Sequence, residues 1–231
     1  MKTVLITGSS SGIGRGCALR FAKAGYRIIA HGRDIDRLRA VAEKIEAAGG
    51  TAKTVTAEMG DMDDIARLAD EATEFGPLSA VIHCAAKFTY GPVDVARFED
   101  WDKSIDSVLR ATIRLTAHTL EAVKQAEGAY VYICGPTAWL GWKNHAIHSA
   151  LRHAQAGFAR ALFEDVREDG VRVTLIHPGF VNTPASSPEG KDRTKMIQVE
   201  DIAEMIFQSV TLPNTACVSE LHLRPQRSPY L

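Results

Sequence analysis

Val4-Leu5-Ile6-Thr7-Gly8-Ser9-Ser10-Ser11-Gly12-Ile13-Gly14 lies at the start of the chain and decides how the rest is read. Val4 to Thr7 is apolar or β-branched without alternation, the pattern of a strand buried on both faces of a parallel sheet. Gly8 lets the chain turn off the strand end. Gly12 and Gly14 remove the Cβ atoms that would block a close ligand. A helix-compatible stretch follows, so the free N–H groups of its first turn and its dipole favour an anion such as a pyrophosphate. Glycine-rich turns also occur without a ligand. The strand-turn-helix context is what turns this one into a nucleotide-site expectation, with Gly8, Ser10, Ser11, Gly12, Ile13 and Gly14 as its residues.

Outward from that turn, apolar runs and helical periodicities alternate. Helices are expected at 12–24, 34–48, 63–75, 98–125, 145–168 and 199–210. Strands are expected at 26–30, 51–56, 78–83, 129–134, 171–176 and 217–223. Such alternation implies right-handed crossovers and a parallel sheet. Residues 186–195 are polar, carry Pro188 and Gly190, and read as a mobile loop. No composition shift marks a boundary, so residues 1–231 are expected to form one α/β domain with about seven strands.

Formal net charge is −1, and the basic residues are dispersed, so no field attracts nucleic acid or an anionic membrane. The four cysteines, Cys17, Cys84, Cys134 and Cys217, lack metal-type spacing and read as reduced thiols. Too few residues precede Thr7 for a signal peptide or membrane span. The expectation is a cytoplasmic protein.

Thr7-Gly8-Ser9-Ser10-Ser11-Gly12-Ile13-Gly14 resembles the Thr-Gly-x-x-x-Gly-x-Gly signature of the short-chain dehydrogenase/reductase family, and the likeness extends over nearly the whole chain. The resemblance implies a doubly wound Rossmann domain, a nicotinamide dinucleotide and carbonyl/alcohol chemistry. An NAD-selective site puts a carboxylate at the tip of the second strand. Here the tip is Gly32 followed by Arg33, as in members that prefer NADP. A guanidinium offers a planar fork to a 2′-phosphate, with Ser10 and Ser11 as added donors. The plain alternative for Arg33 is a solvated loop arginine. Glu58-Met59 falls where the family has an aspartate and an aliphatic residue beside adenine, and a surface glutamate with a core methionine reads equally well. The family's Asn-Asn-Ala-Gly becomes His83-Cys84-Ala85-Ala86, which keeps small residues at Ala85 and Ala86. Pro178-Gly179-Phe180-Val181-Asn182-Thr183 matches the Pro-Gly-x-Val-x-Thr segment that touches the nicotinamide end, so Pro178, Gly179, Val181 and Thr183 complete the cofactor set.

At the catalytic end the pattern breaks. The family uses a tyrosine and a lysine four residues later, which share a helix face. None of the five tyrosines has lysine at that offset. Arg152-His153-Ala154-Gln155-Ala156-Gly157-Phe158 resembles the family's Lys-His-Ala-x-x-Gly-Phe, which puts Arg152 at the lysine position and His148 at the tyrosine position. The serine position becomes Gly135, and the asparagine position Val108. Histidine titrates near neutrality without help, and Arg152 would favour its neutral form while still able to bind ribose hydroxyls. His148 and Arg152 are therefore the catalytic candidates, against the plainer reading that they only line an inherited cleft.

His145, His148 and His153 lack an acidic or cysteine partner nearby, so no metal is expected. Trp139, Trp142, Lys143, Lys87 and Tyr90 are expected in the pocket wall. Two functions follow: an NADP(H)-preferring oxidoreductase with a substitute proton donor, or a catalytically degenerate, non-redox dinucleotide-binding protein. The long helices at 98–125 and 145–168 are rich in small residues, and by the resemblance they imply a homodimer or homotetramer.

Overall fold

The computed structural model describes residues 1–87, 89–186 and 189–230. Pro188, cited above for the polar loop, lies outside them. Seven strands run in chain order as β1 (Thr3–Thr7), β2 (Arg27–Gly32), β3 (Thr51–Thr56), β4 (Leu78–His83), β5 (Ala129–Ile133), β6 (Arg172–Pro178) and β7 (Glu220–Leu223). They form one parallel sheet in the order β3-β2-β1-β4-β5-β6-β7. The chain winds from β1 towards β3 and then restarts beyond β1 at β4. A crevice therefore opens at the carboxyl ends of β1 and β4, where an open α/β sheet places its ligand.

Helices cover both faces: α1 (Gly12–Lys23), α2 (Ile35–Ala47), α3 (Met62–Phe75), α4 (Phe98–Ser104), α5 (Ala111–Gln125), α6 (Ala146–Val166) and α7 (Val199–Thr211). Alternate strand residues feed two cores. Leu5, Ile29, Val81, Tyr130 and Tyr132 face α3, α5 and α6, while Val4, Ile6, Ile28, Ala80, Ile82 and Val131 face α1, α2 and α7. Asp34 caps α2 by accepting from the N–H groups of Asp36 and Arg37, which satisfies two orphan donors of its first turn. No helix among the described residues is long and apolar enough to cross a membrane.

Several expected boundaries shift. β2 runs two residues past Ala30, because His31 and Gly32 pair with Val55 and Thr56. The expected helix 98–125 is not continuous. A π-helical turn at Ile105–Arg110 separates α4 from α5, and Val108 sits inside it. Periodicity could not reveal that break, because one wider turn barely disturbs the apolar stripe. The last strand starts at Glu220 rather than Cys217. Within the polar loop, Arg193–Lys195 forms a 3-10 turn capped by Asp192.

Candidate functional site

Carboxyl ends of six strands, β1 to β6, or the segments after them converge on one cleft of about 400 Å³. From β1 come Gly8, Ser10, Ser11, Gly12, Ile13 and Gly14; from β2, His31, Gly32 and Arg33; from β3, Glu58 and Met59; from β4, Cys84, Ala85, Ala86 and Lys87. Ile133 of β5, Ser107 of the π turn, Arg152 of α6 and the Thr183-Pro184-Ala185 segment close it.

The glycine turn holds its shape because no side chain fits. A Cβ on Gly14 would stand 2.4 Å from the Gly8 carbonyl oxygen, and one on Gly8 would stand 2.9 Å from Ala85 Cα, with φ +69°. Only glycine tolerates that dihedral and that approach. Thr7 ties this turn to the next one: its Oγ1 accepts from the N–H groups of Cys84 and Ala85, each at 3.1 Å. His31, buried, adds a third tie. Its Nε2 donates to the Ala57 carbonyl at 3.1 Å while its Nδ1 accepts from Gly8 N–H at 3.4 Å. Burial lowers the His31 pKa, in keeping with a neutral ring that has one donor and one acceptor nitrogen.

Beside the β2 tip, Arg33 is largely solvated, and its Nη1 lies 3.7 Å from Glu58 Oε2. Ser10 stands next to Gly32, whose hypothetical Cβ would meet Ser10 Oγ at 3.3 Å. Arg33, Ser10 and Ser11 thus line one end of the cleft together.

Arg152 lines the other end and is buried. Its Nη1 donates to the Ile133 carbonyl at 3.0 Å and to Gln155 Oε1 at 2.7 Å. Gln155 in turn donates to Thr112 Oγ1, which donates to the Val108 carbonyl. That chain anchors the guanidinium to the π turn. Arg152 Nε is buried and has no hydrogen-bond partner in the protein.

His148, one turn before Arg152 on α6, is buried but lies outside the cleft lining. Burial first, then the Arg152 and His145 charges, push its pKa down to about 4. The Tyr90 ring packs 5.4 Å from the His148 ring and 4.6 Å from the His145 ring. Val108 is buried and contributes only its carbonyl. Gly135 has φ +77° and ψ 178°, a region open essentially to glycine alone, and its carbonyl accepts from His177 Nδ1 at 3.1 Å.

Of the residues expected at the cofactor, Gly8, Ser10, Ser11, Gly12, Ile13, Gly14, Arg33, Glu58, Met59, Ala85, Ala86, Arg152 and Thr183 line the cleft. Pro178, Gly179 and Val181 do not. Gly179 N–H donates to the Leu223 carbonyl, and Val181 is buried in a bridge with Ile197. Lys87 reaches the cleft as expected of a wall residue. Trp139 packs instead on His177 and His222, near β7. Sequence reasoning passed over His31 and Ser107. A histidine one residue past an expected strand end carries no local mark, and Ser107 becomes visible only once the π turn is seen.

The sequence profile described as short chain dehydrogenase matches residues 2–194. An uncharacterized oxidoreductase of Staphylococcus epidermidis is 27% identical over 228 residues, covering 97% of each chain. A metagenomic short-chain oxidoreductase solved in complex with NADP is 26% identical, covers 98% of both chains and superposes with a TM-score of 0.87. An alcohol dehydrogenase from the archaeon Thermococcus sibiricus, complexed with 5-hydroxy-NADP, is 22% identical over the whole of both chains with a TM-score of 0.89, and shares the fold. With that match over most of its length, and with the glycine turn at the switch point of a seven-stranded parallel sheet, this chain belongs to the short-chain dehydrogenase family.

Proposed function

We propose that the protein is an NADP(H)-binding oxidoreductase acting on a carbonyl/alcohol pair, with His148 handling the proton in place of a phenol. One observation carries the reading: the Cβ-free turn at the α1 N-terminus and Arg152 line the same crevice. A phosphate-bearing ligand with ribose hydroxyls fits that combination of N–H groups, helix dipole and buried cation. The NADP-bound metagenomic relative supports it.

In this reading the backbone at Gly12, Ile13 and Gly14 takes the pyrophosphate. Arg33, Ser10 and Ser11 take the 2′-phosphate, and Glu58 and Met59 border adenine. Ala85 and Ala86 permit close backbone approach, and Arg152 holds ribose hydroxyls. Thr183 borders the nicotinamide end, and Pro178, Gly179 and Val181 set the course of its segment. When bound, the cofactor supplies or accepts hydride. A neutral His148 is a ready proton acceptor from an alcohol and a scarce donor to a carbonyl.

A second reading, a non-redox dinucleotide-binding protein, is favoured by the position of His148 outside the cleft lining and by the missing side chains at Gly135 and Val108. Titration with NADPH and NADH followed by fluorescence, then turnover with a panel of carbonyls and alcohols, separates the two. Binding without turnover selects the second reading, and absence of binding overturns both.

A further inference from the structure

Away from the cleft, β6 and β7 bring together three side chains that the reading above does not use. Their register pairs His177 with His222, and Glu220 lies two residues earlier on the same face of β7. The two imidazole rings stack 4.7 Å apart, and the Trp139 indole packs 4.8 Å from one and 4.4 Å from the other. One ligand atom from each of His177, Glu220 and His222 lies within 4.8 Å of the other two.

His177 is the informative member. Its side chain is wholly buried, and its Nδ1 donates to the Gly135 carbonyl at 3.1 Å. A neutral ring then presents a bare lone pair at Nε2. That nitrogen has no hydrogen-bond partner; it stands 3.3 Å from Glu220 Oε2 but out of line for a hydrogen bond. His222 Nε2 lies 3.7 Å from the same oxygen. Glu220 Oε1 is meanwhile held by Arg160 Nε at 2.6 Å, leaving Oε2 as its inward oxygen. Acceptor atoms converging in this way call for a cation between them.

We propose that His177 Nε2, Glu220 Oε2 and His222 Nε2 form a binding site for one divalent transition-metal ion, of which Zn²⁺ is the natural probe. Two imidazoles and one carboxylate suit such an ion. Tetrahedral bonds of about 2.1 Å separate ligand atoms by about 3.4 Å, close to the 3.3 and 3.7 Å present here. The supporting contacts match as well: a ligating histidine usually donates its other N–H to a carbonyl or carboxylate, and the ligating carboxylate is itself hydrogen-bonded. Gly135 and Arg160 fill those places.

The test uses full-length, tag-free protein stripped with a chelator. Calorimetric titration with Zn²⁺ is expected to show one equivalent bound. Ni²⁺, added in a parallel titration, is expected to quench emission from Trp139, and Trp139→Phe removes that quench while Zn²⁺ still binds. His222 is half-exposed, so His222→Ala keeps the fold, checked by circular dichroism, and should weaken Zn²⁺ by about tenfold to a hundredfold or more. His145→Ala, in the other histidine group, should leave affinity unchanged. The proposal is overturned if the stripped protein binds no stoichiometric Zn²⁺, if His222→Ala binds as tightly as the parent, or if the loss follows His145→Ala instead.

Discussion

Gly8 N–H points at His31 Nδ1 from 3.4 Å, and the same ring donates from Nε2 to the Ala57 carbonyl. One neutral histidine thus pins the first turn of the cleft to the loop after β3. A protonated ring would set an N–H against the Gly8 N–H, so the tie holds only while His31 is uncharged.

Acid should loosen the protein as a result. His31 is buried with its pKa lowered, and His83, stacked on Tyr132, is pushed down to about 3 by burial. Folded-state values below the unfolded value of about 6.5 mean that the unfolded chain takes up the protons. Stability present above about pH 6.5 is therefore lost as pH falls from there towards the folded-state values. His83 alone should contribute about 2 kcal/mol less at about pH 5 than at about pH 7.5. Urea midpoints at the two pH values check this, and His83→Gln should flatten the difference. An unchanged midpoint in the parent protein would rule the account out.

Cofactor preference should rest on Arg33. Removing a charge-assisted phosphate contact costs about 1.5–3 kcal/mol, so Arg33→Ala should narrow an NADPH-over-NADH preference by roughly ten- to a hundredfold. Glu58 lies 3.7 Å from the guanidinium and competes with a phosphate for it, so Glu58→Gln should tighten NADPH and leave NADH unchanged. Equal affinities for the two cofactors in the parent protein would sink the assignment of Arg33.

His148, with a pKa near 4, predicts opposite pH profiles for the two directions. As proton acceptor it should let alcohol oxidation rise through about pH 4 and level off. As donor it should let carbonyl reduction fall with each pH unit above about 4. His148→Ala should lower turnover on the order of a hundredfold. A rate equal to the parent's would leave the histidine as wall only.

Restoring the family's hydroxyl should fail. Gly135 sits at φ +77°, ψ 178°, so Gly135→Ser should cost about 1–3 kcal/mol in stability and not improve turnover even with His148→Tyr and Arg152→Lys. A thermal melt gives the first outcome and an activity assay the second. A melt unchanged from the parent's would count against the strained backbone.

Self-association should involve α6. Gly157 lies mid-helix, exposed, and a Cβ there would touch nothing in its own chain. Mid-helix glycine costs about 1 kcal/mol relative to alanine, which close approach of a second copy would offset. Gly157→Leu should shift the mass by light scattering from dimer or tetramer to monomer. A monomeric parent would refute this.

Local constraints explain what could be read directly from the sequence. The glycine turn was legible because dihedral angle and Cβ clearance belong to single residues, and the alternation of strands and helices was legible because its periods are short. Arg33 and Arg152 were legible through their offsets from those landmarks. Their partners were not: Arg152 is held by Ile133 and Gln155, and Arg33 is shadowed by Glu58. The π turn at Ser107 and Val108 left the helical stripe almost undisturbed, and the His31 tie and the His177–Glu220–His222 cluster depend on which strands adjoin and in what register. A parallel sheet joins residues far apart in sequence through crossovers, and only the packed sheet decides which side chains share a face.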